Sequence, residues 1–167
     1  GIGLNNTFKY KNFSLGILVN GKFGGKVISQ TEAMLDGYGV SKRTAIAREN
    51  GGVDIDAVLP DGTAVRKIDA RTYYSTIGNR DGIKEPYTYQ RTNIRLAQFI
   101  LSYDFTLKKL AVKSASLSLT AQNLFFIYKD APFDPEITLN TLINDQALDN
   151  FTIPSTRTLG FNFRINF

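Results

Sequence analysis

Asp54, Asp56 and Asp61 crowd around one turn of the chain. Carboxylate oxygens are hard donors of the kind calcium prefers, which makes the three weak calcium candidates. They lack the ligand spacing of an EF-hand loop, and solvated turn acids are the commoner meaning of such a group. Asp130, Asp134 and Glu136 pose the same question and receive the same answer, with Pro132 and Pro135 stiffening their segment into a loop suited to docking a partner. The chain has no Cys and no His. Zinc-finger sites, thiol catalysis and Ser-His or Cys-His triads are therefore excluded within it. No acid pair stands out for a carboxylate mechanism. The expectation is no catalytic residue, no bound metal, no cofactor and no enzyme activity. Gly1-Ile2-Gly3 and Phe23-Gly24-Gly25 lack the spacing of a dinucleotide fingerprint. Tyr73, Tyr74, Tyr87 and Tyr89 could stack on sugar rings at an outer mouth, or equally pack a long loop on itself.

The charge balance points to no nucleic-acid partner. Net charge is +5 and the pI about 9.4, yet Lys and Arg are scattered, with no dense cluster beyond Lys108, Lys109 and Lys113. Hydrophobic residues make up 43% and charged residues 21%, a globular balance. No apolar run approaches the ~20 residues of a membrane helix. The longest, Leu15–Val19 and Leu124–Tyr128, fall far short, which leaves alternating membrane strands as the only spanning option. The opening Gly-Ile-Gly-Leu has no initiator Met, basic n-region or h-region, so the sequence reads as a processed product or a piece of something longer.

The elements that position these residues are mostly strands. The last one, 157–167, carries Leu159, Phe161, Phe163, Ile165 and Phe167 at every second position, with Thr158, Gly160, Asn162, Arg164 and Asn166 between them. A period of two puts one set on each face of a strand. Phe8–Asn20 repeats the pattern with Phe13, Leu15, Ile17 and Val19. Residues 26–38 read as a weaker second strand, although Thr31–Leu35 would tolerate a helix. Residues 93–107 form a third strand and 114–128 a fourth. Between them, Gly21–Gly25 and Lys108–Lys113 read as short turns, and 39–92 and 129–156 as long loops. Within 39–92, Val53–Leu59 and Thr63–Asp69 flank Pro60-Asp61-Gly62 as a hairpin, and Asp69 caps a short helix through Ile77.

Connections thus alternate short, long, short, long. Outer-membrane barrels alternate short periplasmic turns with long extracellular loops, and their strands need about 9–11 residues. With the chain end in the periplasm, Gly21–Gly25 and Lys108–Lys113 fall inside and both long loops outside. Phe8, Tyr10, Tyr87, Tyr89, Phe125, Phe126 and Tyr128 then gather at the outer ends, and Phe23, Tyr103, Phe105 and Phe167 at the inner ends, as aromatic girdles do. Asp104 falls on the lumen face. Five strands do not close a barrel, which takes at least about 8. The fold class expected is all-β, the C-terminal five antiparallel strands of a larger transmembrane barrel, with both sheet edges paired to further strands.

Several stretches carry a family resemblance. Gly-Lys-Phe-Gly-Gly-Lys-Val at 21–27, Ala-Met-Leu-Asp-Gly-Tyr-Gly-Val-Ser-Lys-Arg-Thr at 33–44, Asp-Ala-Arg-Thr-Tyr-Tyr at 69–74, Gln-Asn-Leu-Phe-Phe-Ile-Tyr-Lys at 122–129 and Ala-Pro-Phe-Asp-Pro-Glu-Ile at 131–137 are the main ones. They resemble the C-terminal end of SusC/RagA-type TonB-linked outer-membrane proteins of Bacteroidota. The resemblance covers 1–167 and implies a barrel of about 22 strands with a plug in its lumen, the plug lying outside this chain. It implies import of large nutrients, glycans or peptides, under a SusD-type surface lipoprotein acting as lid. It further implies a TonB complex that pulls on the plug, and homodimers of transporter–lipoprotein pairs. Phe161, Phe163, Ile165 and Phe167 would serve the barrel assembly machinery as an assembly signal while touching outer-membrane lipid. Tyr73, Tyr74, Tyr87, Tyr89 and Phe133 would meet substrate or lid. The competing reading is a soluble β-sandwich carbohydrate-binding module, whose apolar strand faces would be buried under a second layer.

Overall fold

The computed structural model describes residues 1–79, 81–105, 114–136 and 147–166. In chain order the elements are β1 (Ile2–Tyr10), β2 (Phe13–Lys22), β3 (Lys26–Ser29), α1 (Gln30–Gly37), α2 (Lys42–Glu49), β4 (Val53–Val58), β5 (Ala64–Ile68), α3 (Ala70–Ile77), a 3-10 turn (Glu85–Tyr87), β6 (Thr88–Gln90), β7 (Asn93–Phe105), β8 (Ser114–Lys129), β9 (Leu148–Asp149) and β10 (Thr158–Asn166). The expectations for Phe167 and for Lys108–Lys113 lie outside the described residues. The chain divides into two units: one of Gly1–Gly25, Gln90–Glu136 and Ile153–Phe167, the other of Lys26–Tyr89 and, within Ile137–Thr152, the described residues 147–152.

The first unit is a five-stranded sheet in the order β1-β2-β7-β8-β10, antiparallel throughout. The count of five agrees with the sequence, but the first two strands are corrected. Phe8–Asn20 is not one strand: the chain reverses at Lys11-Asn12, with Lys11 at φ 51° and Tyr10 opposite Phe13. Asn12 secures the reversal by donating its Nδ2 to Asp104 O at 2.8 Å. The earlier residues alternate too (Ile2, Leu4, Phe8 and Tyr10), and they form β1. The short turn therefore sits at Lys11-Asn12, and Gly21–Gly25 opens the long connection to β7 at the opposite end. With it move the aromatics. Phe8 and Tyr10 join Tyr103 and Phe105 at the short-turn end, while Phe23 joins Phe125, Phe126 and Tyr128 at the other.

The second correction is residues 26–38. Only Lys26–Ser29 is strand; Gln30–Gly37 is helix. Ser29 Oγ accepts from Glu32 N at 3.0 Å, the Ser-x-x-Glu spacing of a capping box. Ala33 and Asp36 are then buried with the helical spacing of three, and Gly39 at φ 71° ends the turn beyond it. A local cap overrides a weak period-two pattern there. The helix α2 was hidden in the long loop; Ser41 caps it by accepting from Thr44 N at 3.3 Å. The Asp69-capped α3 and the β4–β5 hairpin stand where the sequence put them.

In the second unit β3 pairs with β9 in parallel, within a three-stranded sheet of order β6-β3-β9. Ala33, Ile77 and Tyr87 form its hydrophobic core, with Tyr73 and Tyr74 packed against them. Helices α1 and α3 close on each other at Gly37 and Gly78. A Cβ on Gly78 would collide with the Ala33 carbonyl and stand 2.8 Å from Gly37 N.

Candidate functional site

Pairing aligns the period-two patterns of all five strands. Residues opposite one another in antiparallel strands share a face. One row across the sheet is Tyr10, Phe13, Tyr103, Leu117 and Phe163; the next on that face is Phe8, Leu15, Leu101, Leu119 and Phe161. The row between them, on the other face, is Lys9, Ser14, Ser102, Ser118 and Asn162. There Ser102 Oγ donates to Ser118 Oγ at 2.9 Å. Asp104, paired with Ser116, lies on this polar face as the sequence expected.

Among the described residues no second layer covers the apolar face. Leu117 is 44% exposed, Leu119 50%, Phe161 83% and Phe163 58%. Ile165 is exposed on the same face. Three of the four residues assigned to an assembly signal, Phe161, Phe163 and Ile165, thus stand bare on one strand. At the short-turn end Tyr103 packs against Phe13 and Phe105, with ring centroids 4.7 Å apart in both pairs.

At the other end a charge cluster gathers on the polar face. Simple alternation from Phe99 and Ala97 would send Arg95 to the apolar face. Instead Gln98 pairs with Leu18 and Leu96 with Val19, so Ala97 is one extra residue in β7. Such a bulge re-aims the side chains on its far side. Arg95 lands opposite Asn20 and is 7% exposed. Its guanidinium pairs with Glu136, reaches Asp134 at 3.9 Å and donates to Ser155 Oγ at 3.1 Å. Lys22 Nζ also pairs with Glu136, at 3.1 Å, and Ser155 donates to Asp134. Lys129 Nζ donates to the carbonyls of Pro132 and Phe133, and Arg91 Nε to that of Pro135. The 131–136 segment expected to dock a partner is held down by its own sheet. Half-buried Phe133 sits within this anchored turn.

The tyrosines divide. Tyr87 is fully buried and donates its hydroxyl to Asp36 Oδ2 at 3.0 Å, which takes it out of any outer contact. Burial, the Asp36 charge and that hydrogen bond raise its pKa well above the ordinary phenol. Buried Asp36 also receives Arg43 Nε at 2.7 Å, and Arg43 bridges on to Glu32. Burial pulls the Arg43 pKa down, but Asp36, Tyr89 and Glu32 outweigh it and hold it above its usual value. Tyr89 reaches Glu32 Oε2 at 3.4 Å. Tyr73 and Tyr74 meet edge to face at 5.1 Å. These side chains pack the loop on itself.

The acids at the hairpin are also engaged. Asp54 faces Lys67 at 3.6 Å, Asp56 pairs with Arg66, and Asp61 Oδ1 accepts from Thr63 N at 2.9 Å, which lowers its pKa. Among the described residues no group of three or more carboxylates is placed to hold a metal ion.

No protein-family model matches the chain, and no curated protein matches it. Solved structures do. The RagAB peptide importer in its "open-open" state contains a chain that superposes with a TM-score of 0.66 over 99% of this chain at 17% identity. The same importer in its "closed-closed" state matches with a TM-score of 0.60 over 98% at 16% identity. This chain spans 17% of the length of the importer chain in each case. At such identity the likeness is one of fold.

Proposed function

We propose that the chain is wall and outer loops of a TonB-dependent outer-membrane importer of large nutrients, a transmembrane β-barrel of a Gram-negative, Bacteroidota-type bacterium. The observation that carries this reading is the bare apolar face of the five-stranded sheet. Burying such a face contributes roughly 25 cal/mol per Å², and hydrocarbon is a partner that fits a face that is apolar along all five strands except at Asn6 of β1. The outer edges of β1 and β10 have no neighbour among the described residues. In lipid each unmet backbone group costs several kcal/mol, so further strands of the same barrel pair with both. The fold likeness to a peptide importer supports the class.

The same reading implies the partners: a SusD-type lipoprotein over the outer loops, a TonB complex acting through a plug outside this chain, and the barrel assembly machinery. The role of the chain is structural and selective, without catalysis. Cell fractionation tests the proposal. The protein is expected in the outer-membrane fraction, released only by detergent. Recovery from detergent-free buffer would overturn the barrel and favour a soluble sandwich.

A further inference from the structure

We propose that the second unit carries a binding pocket for an uncharged saccharide. The pocket lies over the Gly37–Gly78 contact and is lined by Gln30, Met34, Tyr38, Asn79, Leu148 and Asn150, with Ser75 beside them. Its volume is about 640 Å³, within the range of roughly 300–1,000 Å³ of small-molecule sites. The glycine contact forms its floor, because a side chain on Gly78 has no room.

The lining selects the ligand class. None of its described lining residues carries a charge, although the chain as a whole is rich in Lys and Arg. An ion would have to shed water against those residues with no counter-charge among them. Three carboxamides and a hydroxyl supply both donors and acceptors. Gln30 and Asn150 spend no side-chain hydrogen bond on the fold among the described residues. Asn79 uses Oδ1 to accept from Asp81 N at 2.8 Å, which leaves its Nδ2 as a donor. Ser75 donates to Thr72 O and keeps its lone pairs.

Beside these polar groups stands Tyr38, 78% exposed at the end of α1. The negative face of an aromatic ring attracts the weakly positive C–H groups of a sugar ring. Amides opposite hydroxyls and an aromatic plate beneath C–H groups are what a neutral sugar presents partners for. An extended peptide would use the amides but leave the plate without its matching face. Sequence alone pointed to Tyr73, Tyr74, Tyr87 and Tyr89 as stacking residues. The fold spends Tyr87 in the core and packs Tyr73 and Tyr74 around it, and it presents Tyr38 instead.

The pocket stands on its own lining; that the bound sugar is the imported nutrient rests on the transporter reading. The test is calorimetric titration of the full chain in detergent. The probes are neutral hexasaccharides of α-glucan, β-glucan, xylan and mannan, an acidic hexagalacturonate, and an acetylated, amidated tetrapeptide. At least one neutral hexasaccharide is expected to bind. Tyr38→Ala should weaken it about tenfold, and Gln30→Ala several-fold, with circular dichroism unchanged. No binding by any neutral probe, stronger binding by the acid or the peptide, or undiminished binding by Tyr38→Ala would overturn the site. Protein that binds sugar but fractionates without detergent would overturn the importer and keep the pocket. Protein that needs detergent but binds no probe would do the reverse.

Discussion

Leu119 and Val27 are both aliphatic strand residues, yet half of Leu119 is open and Val27 is wholly buried. The difference belongs to their units. In the second unit, helices and a short sheet share a core of Ala33, Ile77 and Tyr87. In the first unit the sheet has one apolar face with no cover among the described residues, and its buried side chains include Arg95, Asp134 and Asn93 at one rim. A soluble domain usually hides large apolar groups and exposes charges; on this sheet Leu119 and Phe161 are exposed while Arg95 and Asp134 are buried.

The rim should break first. Arg95→Met leaves Asp134 and Glu136 without their guanidinium in a buried setting. Removing one partner of a buried pair costs about 3–5 kcal/mol. The expected outcome is a large drop in thermal stability, with proteolytic cleavage appearing between Asp130 and Arg157. Unchanged protease resistance would show that the cluster does not hold that connection.

The faces come next. Leu119→Arg should cost about 2–4 kcal/mol if the apolar face meets the middle of a bilayer, whereas Ser118→Arg, one residue away on the polar face, should be tolerated. Outer-membrane yield of the two variants reads the contrast directly. Equal yields would erase the distinction between the faces.

The smallest effect is alkaline and confined to the second unit. The folded pKa of Tyr87 lies above the ordinary 10.0. Its protonated form is thus favoured by folding, and that stabilisation is complete below pH 10 and lost as pH rises through the folded value. Burial holds Tyr74 and Tyr89 above the ordinary value as well, so in a titration followed at 295 nm these tyrosines should ionise late and Tyr87 last. Tyr87→Phe should remove the last of those steps. A titration in which every tyrosine ionises together near pH 10 would contradict the buried phenol.

Much of the fold was legible where it depends on neighbours in sequence. The alternation in β10 and β8, the turn at Pro60-Asp61-Gly62 and the Asp69 cap each need only a few adjacent residues. The Ser29 cap, with Glu32 three residues on, was equally readable and would have separated α1 from β3; the period-two pattern through Val27 and Leu35 masked it. The candidate site was less legible. Four tyrosines were identifiable as aromatics near one another, but whether a ring faces a core or solvent depends on segments far away in the chain.

What the sequence determined by itself is the period of each strand and the chemistry available: two-faced ribbons, no thiol, no imidazole. Those are properties of residue type and spacing. Only the tertiary structure decided which strands pair and where one slips. The extra residue at Ala97 turns Arg95 from the greasy side to the charged rim, and a bulge exists only relative to the strand across from it. The reversal at Lys11-Asn12 likewise depends on the bond from Asn12 to Asp104 across the sheet, which lies beyond the reach of local periodicity.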